Sequence, residues 1–317
     1  MPGTSDGNPN HAGADNVNLL RRFIAIPMLA FGLSVGFSGV TSAFELAPYK
    51  DKLFQYPKVL EQSHKGAFVR VEYTKKRDLY GRDEVREIRA HRRYVSLKPR
   101  RKQKKLVLSV ADRKIDYIGL GKLGGGAKAI VIYVHGKGGN RLQGANDWSF
   151  GGNFNRVRNL MLRNNGIYIS TDITDFGRKG VEDVMALMRT YRKTSPKAPV
   201  FIACGSMGGH ICWSLMRSNE AASMLGGVLL LGSLVDKGFL NSAMVNGSVR
   251  AVPIYLGQGS EDPVFNWQGQ KAFFTSLKAR RPDYPIRFTL FDSGSHGTPI
   301  RMTDWRLILN WMLSGRS

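Results

Sequence analysis

The chain has 317 residues, a formal net charge of +23 and only two cysteines. That length exceeds what one ordinary domain needs, yet α/β folds of about 250 residues are common as a single unit, so one core and a leader account for it. A core of that size holds a chain together without disulfides, and Cys204 and Cys212 read as small, buried apolar residues. No group of Cys and His has metal-ligand spacing, and the glycines at 124–126 precede a strand pattern instead of opening a helix. No metal, phosphate loop or cofactor is expected.

Residues 1–18 are rich in Gly, Asn, Pro and Asp without an apolar period, which predicts a disordered start. Arg21 and Arg22 then precede the apolar stretch 23–40 and the small residues Thr41, Ser42 and Ala43. A positive segment, an apolar segment and a small-residue site are the three parts of an export signal, so removal after Ala43 and a periplasmic or secreted protein are expected. The paired arginines suggest twin-arginine export, but Leu20 and Ile24 depart from that pattern and the general secretory route stands equally. The alternative is an uncleaved anchor, because 23–40 is nearly long enough to span a bilayer; Pro27, Gly32, Gly36 and Gly39 count against it. The leader 1–43 carries two charges of each sign, so the whole excess remains on residues 44–317. Cations gather at Lys75, Lys76 and Arg77, at Arg92 and Arg93, and along 98–105. Such a face attracts anions. In an envelope compartment these are phospholipid headgroups, lipopolysaccharide or acidic polysaccharide, and nucleic acid is not an expected partner. The plain alternative is a soluble alkaline surface.

Residues 44–65 read as a short helical or irregular lead-in. The segment 66–119 alternates in the manner of strands, predicting the first antiparallel strands of a sheet with 98–105 as an exposed turn. From 129 onward strands and helices take turns: strand 129–134, helix 153–164, strand 166–171, helix 180–193, strand 199–204, helix 207–218, strands 226–232 and 252–257, helix 265–280, strand 286–291, helix 302–314. This alternation predicts an α/β fold with a mostly parallel central sheet and helices on both faces. The expected organisation is a leader over 1–43, a lead-in with the first antiparallel strands over 44–103, and a core over 104–317.

Four segments carry chemistry. At 200–210 an apolar strand stops at Cys204-Gly205-Ser206-Met207-Gly208 before a helical pattern begins. A sharp strand-to-helix turn that exposes a serine tolerates only small residues two places before and after it, here Cys204 and Gly208. The plain reading of Ser206 is a helix N-cap. Upstream, the strand 129–134 ends in His135-Gly136-Lys137-Gly138-Gly139-Asn140, whose glycines let the backbone lie flat and aim the Lys137 N–H at developing negative charge. The Met207 N–H is the second such donor. Downstream, one strand runs into Glu261-Asp262-Pro263, and a last strand ends in a small-residue loop holding His296. Taken singly, a loop histidine reads as a surface residue and an Asp before Pro as a turn former.

Together these segments resemble the α/β-hydrolase fold superfamily over roughly 104–315, with a His-Gly-x-Gly-like loop and a serine elbow in which Cys204 replaces the usual first glycine. The order Ser, acid, His is also that of the family. The resemblance implies a triad of Ser206, His296 and Asp262, with the amides of Lys137 and Met207 as oxyanion donors and no cofactor. It favours Asp262 over the adjacent Glu261 and leaves Asp236 as a fallback acid. His135 is expected to shape its loop, and His210 to face away from the serine. Only about twenty residues separate the strand near Leu231 from that near Val252, where the family usually inserts a cap, so no large cap and an open site are expected. Loop 140–152, with Trp148 and Phe150, and loop 172–180 are the expected pocket walls, unless Trp148 covers the core. The implied activity is that of an exported serine esterase acting through an acyl-enzyme on a small-molecule, lipid or polysaccharide ester. A lysophospholipase or thioesterase, a peptidase and an acyltransferase of the same fold remain open. The rival from another class is a catalytically silent module that binds an anionic envelope polymer or membrane.

Overall fold

The computed structural model describes residues 44–315. The disordered start, the export signal with its cleavage after Ala43 and the anchor alternative at 23–40 lie outside the described residues. Ten strands build one sheet: β1 (Val59–Ser63), β2 (Phe68–Glu72), β3 (Lys104–Val110), β4 (Arg113–Gly121), β5 (Ile130–Val134), β6 (Ile167–Thr171), β7 (Val200–Gly205), β8 (Leu225–Leu231), β9 (Ile254–Gly259) and β10 (Ile286–Asp292). Their order across the sheet is β1-β2-β10-β9-β8-β7-β5-β6-β4-β3. Strands β2 to β6 in that order are all parallel, and β1, β4 and β3 are antiparallel to their neighbours.

The central strands are continuous apolar runs because both faces are covered. In β5, Ile130, Ile132 and Val134 join one core layer, and Val131 and Tyr133 join the other. Helices α2 (Arg178–Thr194), α3 (Gly209–Arg217) and α4 (Trp267–Arg280) supply Val184, Ile211 and Phe273 to the first layer. Helices α1 (Asn153–Arg163) and α5 (Trp305–Ser314) supply Phe154 and Leu309 to the second. Each such side chain contributes about 1.5–3 kcal/mol by leaving water. Among the described residues no helix is long and apolar enough to cross a membrane.

Three expectations are corrected. The strand at 68–72 pairs antiparallel with β1 but does not join β3 and β4 in one antiparallel set; it lies at the far side of the sheet, parallel to β10, with Phe68 opposite Phe288. The Phe68 ring there meets Phe288 and Phe274 at centroid distances of 5.4 and 6.2 Å, a burial that alternation signals without naming the partner. The basic run 98–105 is not a turn. Pro99 opens a short helix, Lys98–Lys102, and Lys104 already begins β3. Finally, Cys204 and Cys212 are not free but form a disulfide with a Cα–Cα distance of 6.3 Å. The strand-to-helix turn folds α3 back over β7, so two residues eight apart meet in a fully buried position.

Between β8 and β9 the chain forms only a short 3-10 turn, Lys237–Asn241. The segment between β2 and β3 is more elaborate. It holds a single wide helical turn, Lys75–Tyr80, a small hairpin (Asp83–Val85 with Arg89–Ala90) and its own apolar cluster of Phe54, Ala90, Tyr94 and Val95. Trp148 packs against that cluster, under the Arg89 guanidinium at 4.3 Å, and so covers a core instead of walling a pocket.

The disulfide predicts that the unreduced protein, denatured, yields no thiol in a colorimetric titration; two thiols would overturn the link. Replacing both cysteines by Ala is expected to lower the unfolding free energy in urea by about 2–3 kcal/mol, the chain-entropy value for so short a loop.

Candidate active site

Because β5, β7, β9 and β10 are parallel neighbours or near neighbours, the loops that leave their carboxyl ends converge on one edge of the sheet. Ser206 follows β7 directly and has φ of 50°, the left-handed region that an L-residue enters only under constraint. The packing supplies that constraint. A Cβ on Gly208 would lie 2.9 Å from the carbonyl oxygens of Val134 and His135, and one on Gly209 would lie 2.1 Å from Ser233 Oγ. A Cβ on Gly136 would lie 2.7 Å from Ser206 Cβ. The Ser233 hydroxyl donates to the Ser206 carbonyl at 2.6 Å, fixing the turn from behind.

His296, after β10, meets Asp262, after β9, through Nδ1 and Oδ2 at 2.8 Å. An anionic acceptor selects the tautomer with its proton on Nδ1, which leaves Nε2 as the basic nitrogen. The Asp262 carboxylate accepts three further bonds: from Gln258 Nε2 at 2.7 Å, from the Val264 N–H at 2.7 Å and from the Phe265 N–H at 3.2 Å. Burial raises its pKa, but the His296 bond, the two backbone amides and the nearby imidazole outweigh burial and hold the group below its ordinary 3.8.

Ser206 and His296 line one cavity of about 150 Å³ together with Gly136, Lys137, Gly139 and Phe150. No direct hydrogen bond joins the serine hydroxyl to the imidazole, and such bonds commonly tighten only with substrate present. The Lys137 amide has no acceptor among the described residues. Met207 is not on the cavity wall. A second cavity, about 360 Å³, adjoins the first at Phe150, His296 and Gly297 and is walled by Tyr73, Leu79, Glu87, Pro263 and Arg301. A further cavity, about 710 Å³, lies against α5 and contains none of these residues.

The remaining candidates fall elsewhere. Asp236 caps the 3-10 turn after β8 and pairs with Arg217. Glu261 is exposed, outside both cavities. His135 is buried and its Nδ1 contacts the Gly136 carbonyl at 2.7 Å, within its own loop. His210 is exposed on α3 in a separate depression beside Arg217. Phe150 does wall the site, whereas loop 172–180 contributes to neither cavity. Sequence reasoning missed Gln258 and Gln270. Gln258 Oε1 accepts from Gln270 Nε2 at 2.6 Å, and the same Nε2 donates to the Ser233 carbonyl at 2.7 Å. A polar chain therefore runs from Asp262 through two buried glutamines and Ser233 to the serine turn. The available signal was a glutamine ending an otherwise apolar strand, four residues before the acid. Among the described residues, no three His, Cys, Asp or Glu side chains group as a metal site.

This sheet order, with its helices on both faces, is an α/β-hydrolase fold. Among solved structures the chain is similar to the esterase Pf2001 of Pyrococcus furiosus, with a TM-score of 0.51 at 15% identity, covering 69% of this chain and 95% of that one. It is similar to a thermostable esterase (TM-score 0.53, 13% identity, 68% of this chain and 64% of that one). A putative alpha/beta hydrolase from Agrobacterium tumefaciens gives a TM-score of 0.52 at 14% identity over 67% of this chain and 98% of that one. No protein-family model matches the sequence, and no curated protein matches it.

The depressed Asp262 pKa sets a sign. Its contribution to stability is fully present above the unfolded carboxyl value and is lost as pH falls through the lower folded value. Asp262→Asn is therefore expected to be less stable than the wild type in urea at pH 6, with the gap narrowing as pH falls below the ordinary carboxyl value; a gap that widens on acidification would contradict this.

Proposed function

We propose that the chain is an exported serine hydrolase of carboxylic esters, with Ser206, His296 and Asp262 as its triad. The observation that carries the reading is Ser206, held in a left-handed turn, sharing a cavity with a histidine that a buried carboxylate orients. His296 Nε2 takes the Ser206 proton as Oγ attacks the ester carbonyl, and Asp262 steadies the imidazolium that forms. The oxyanion is received by the Lys137 N–H, whose glycine-flanked loop leaves it without an acceptor, and by the Met207 N–H at the start of the helical turn. Collapse expels the alcohol, which collects the proton from His296. Water, deprotonated by the same histidine, then attacks the acyl-serine and releases the acid. Two of the similar structures are named esterases, which supports a hydrolase. The leader pattern supports export, and a buried disulfide is at home in an oxidising compartment.

The basic strip supports a docking role beside this chemistry. Among the described residues Lys98, Arg100, Arg101, Lys102, Lys104 and Lys105 have no acidic partner, so the strip presents uncompensated charge to an anionic envelope surface.

Ser206→Ala is expected to fold normally, to lose labelling by a fluorophosphonate probe and to lose ester turnover by at least about a thousandfold; retained turnover sinks the triad. Turnover of an ester on anionic vesicles is expected to fall steeply with added salt while that of a small neutral ester holds, and parallel salt profiles would remove the docking role.

A further inference from the structure

The cavity beyond His296 has a wall built to an unusual specification. Its rim carries Glu87, and in a chain with 47 Lys and Arg against 24 Asp and Glu an uncompensated carboxylate is scarce. Among the described residues every acidic side chain lies within 4.0 Å of a Lys, Arg or His nitrogen except Glu87, Asp175 and Glu261. Asp175 is used by the Gly177 and Gly180 amides, and Glu261 lies outside the cavity. Of these three, Glu87 lines this cavity, exposed and without an ion-pair partner among the described residues.

Its position is held, not incidental. Glu87 has φ of 61°, left-handed for a non-glycine, and its N–H donates to Asp83 Oδ2 at 2.7 Å. Asp83 is buried and clamped by Arg301 through two bonds of 2.9 and 2.7 Å, so the Arg301 charge in the same wall is already neutralised. The other nearby cation, Arg82, is buried with its guanidinium 4.5 Å from the Phe54 ring centroid and 5.1 Å from that of Tyr94, and it is not part of the lining. Its other walls include the apolar side chains Tyr73, Leu79, Phe150 and Pro263 and the hydroxyl residues Ser295 and Thr298. Phe150 is likewise fixed, with φ of 50°, followed by Gly151, whose carbonyl accepts from Arg82 Nε at 2.9 Å. Phe150 and His296 divide this cavity from the smaller one that holds Ser206 and the Lys137 amide. The acyl carbon and its oxyanion belong with Ser206, and the departing group must reach His296 for its proton, which puts that group in the larger cavity.

Resting on the esterase reading, we propose that the cavity beyond His296 is the leaving-group site and takes an organic cation, a quaternary ammonium or protonated amine, held by Glu87 against the Tyr73 and Phe150 rings. Two esters of one shape that differ by a single charge test it: acetylcholine and 3,3-dimethylbutyl acetate. The charged ester is expected to have a kcat/KM higher by about five- to tenfold, and Glu87→Gln to lower that ratio severalfold, leaving only the share due to the rings. Equal kcat/KM values in the wild type, or a preference that Glu87→Gln leaves undiminished, overturns the proposal. Calorimetric titration with tetramethylammonium chloride reads the same site without turnover, and Glu87→Gln is expected to weaken binding by a similar factor. If neither ester nor phenyl acetate is hydrolysed and Ser206 takes no fluorophosphonate, the hydrolase reading fails. The titration then still decides the cation site: Glu87-dependent binding upholds it, and no binding overturns it.

Discussion

The left-handed backbone at Ser206 is the constraint around which this end of the molecule is arranged. A serine at φ of 50° is disfavoured by about 1–3 kcal/mol and persists only where its surroundings over-determine it. Those surroundings are specific. Gly136, Gly208 and Gly209 remove three side chains that would otherwise occupy the turn, the Ser233 hydroxyl bonds the carbonyl behind it, and the Cys204–Cys212 link ties the entering strand to the leaving helix. The parallel sheet contributes the rest by placing the ends of β5, β9 and β10 around β7, so the loops that carry Lys137, Asp262 and His296 arrive without long excursions.

Charge within the site is set by burial and its compensation. A carboxylate withdrawn from water stays ionised only when donors replace the solvent, and Asp262 has four of them. One donor, Gln258, is itself held by Gln270, which reaches the Ser233 carbonyl. The acid and the serine turn are thus braced against each other through neutral groups, and the geometry of one is fixed relative to the other even without a bond between imidazole and hydroxyl. Under the proposed triad, Gln258 and Gln270 act as positioning residues, through Asp262 and Ser233.

Much of the fold was legible because the strands from 129 onward are apolar runs bounded by glycine and separated by helical periods, and such runs admit few arrangements other than a buried parallel sheet. Ser206, Asp262 and His296 stood out for a related reason: each comes after a strand and sits among small residues. What was not legible depended on partners distant in sequence. Alternation marks 68–72 as a strand but contains nothing about Phe288, 220 residues away, which lies opposite Phe68. The spacing of Cys204 and Cys212 gives no sign of the fold-back that joins them. The pocket wall made by Tyr73, Leu79 and Glu87 was not legible because the family resemblance points to the span after Leu231 for a cap, whereas this chain elaborates the segment between β2 and β3.

The outermost strand of the sheet gives the basic run a meaning independent of any ligand. Among the described residues one side of β3 has no strand beside it, which leaves a row of backbone donors and acceptors open to pairing with another chain. Val107 is 56% exposed on that strand, so the edge is also partly apolar. Lys104 and Lys105 are exposed at its start, directly after the Lys98–Lys102 helix. Two copies approaching edge to edge bring these like charges together, and their repulsion opposes self-pairing while leaving the strand free to complete its own sheet. A polyanion or concentrated salt that masks the cations weakens this guard, so the same surface that keeps the protein dispersed in dilute buffer becomes adhesive when its charge is covered.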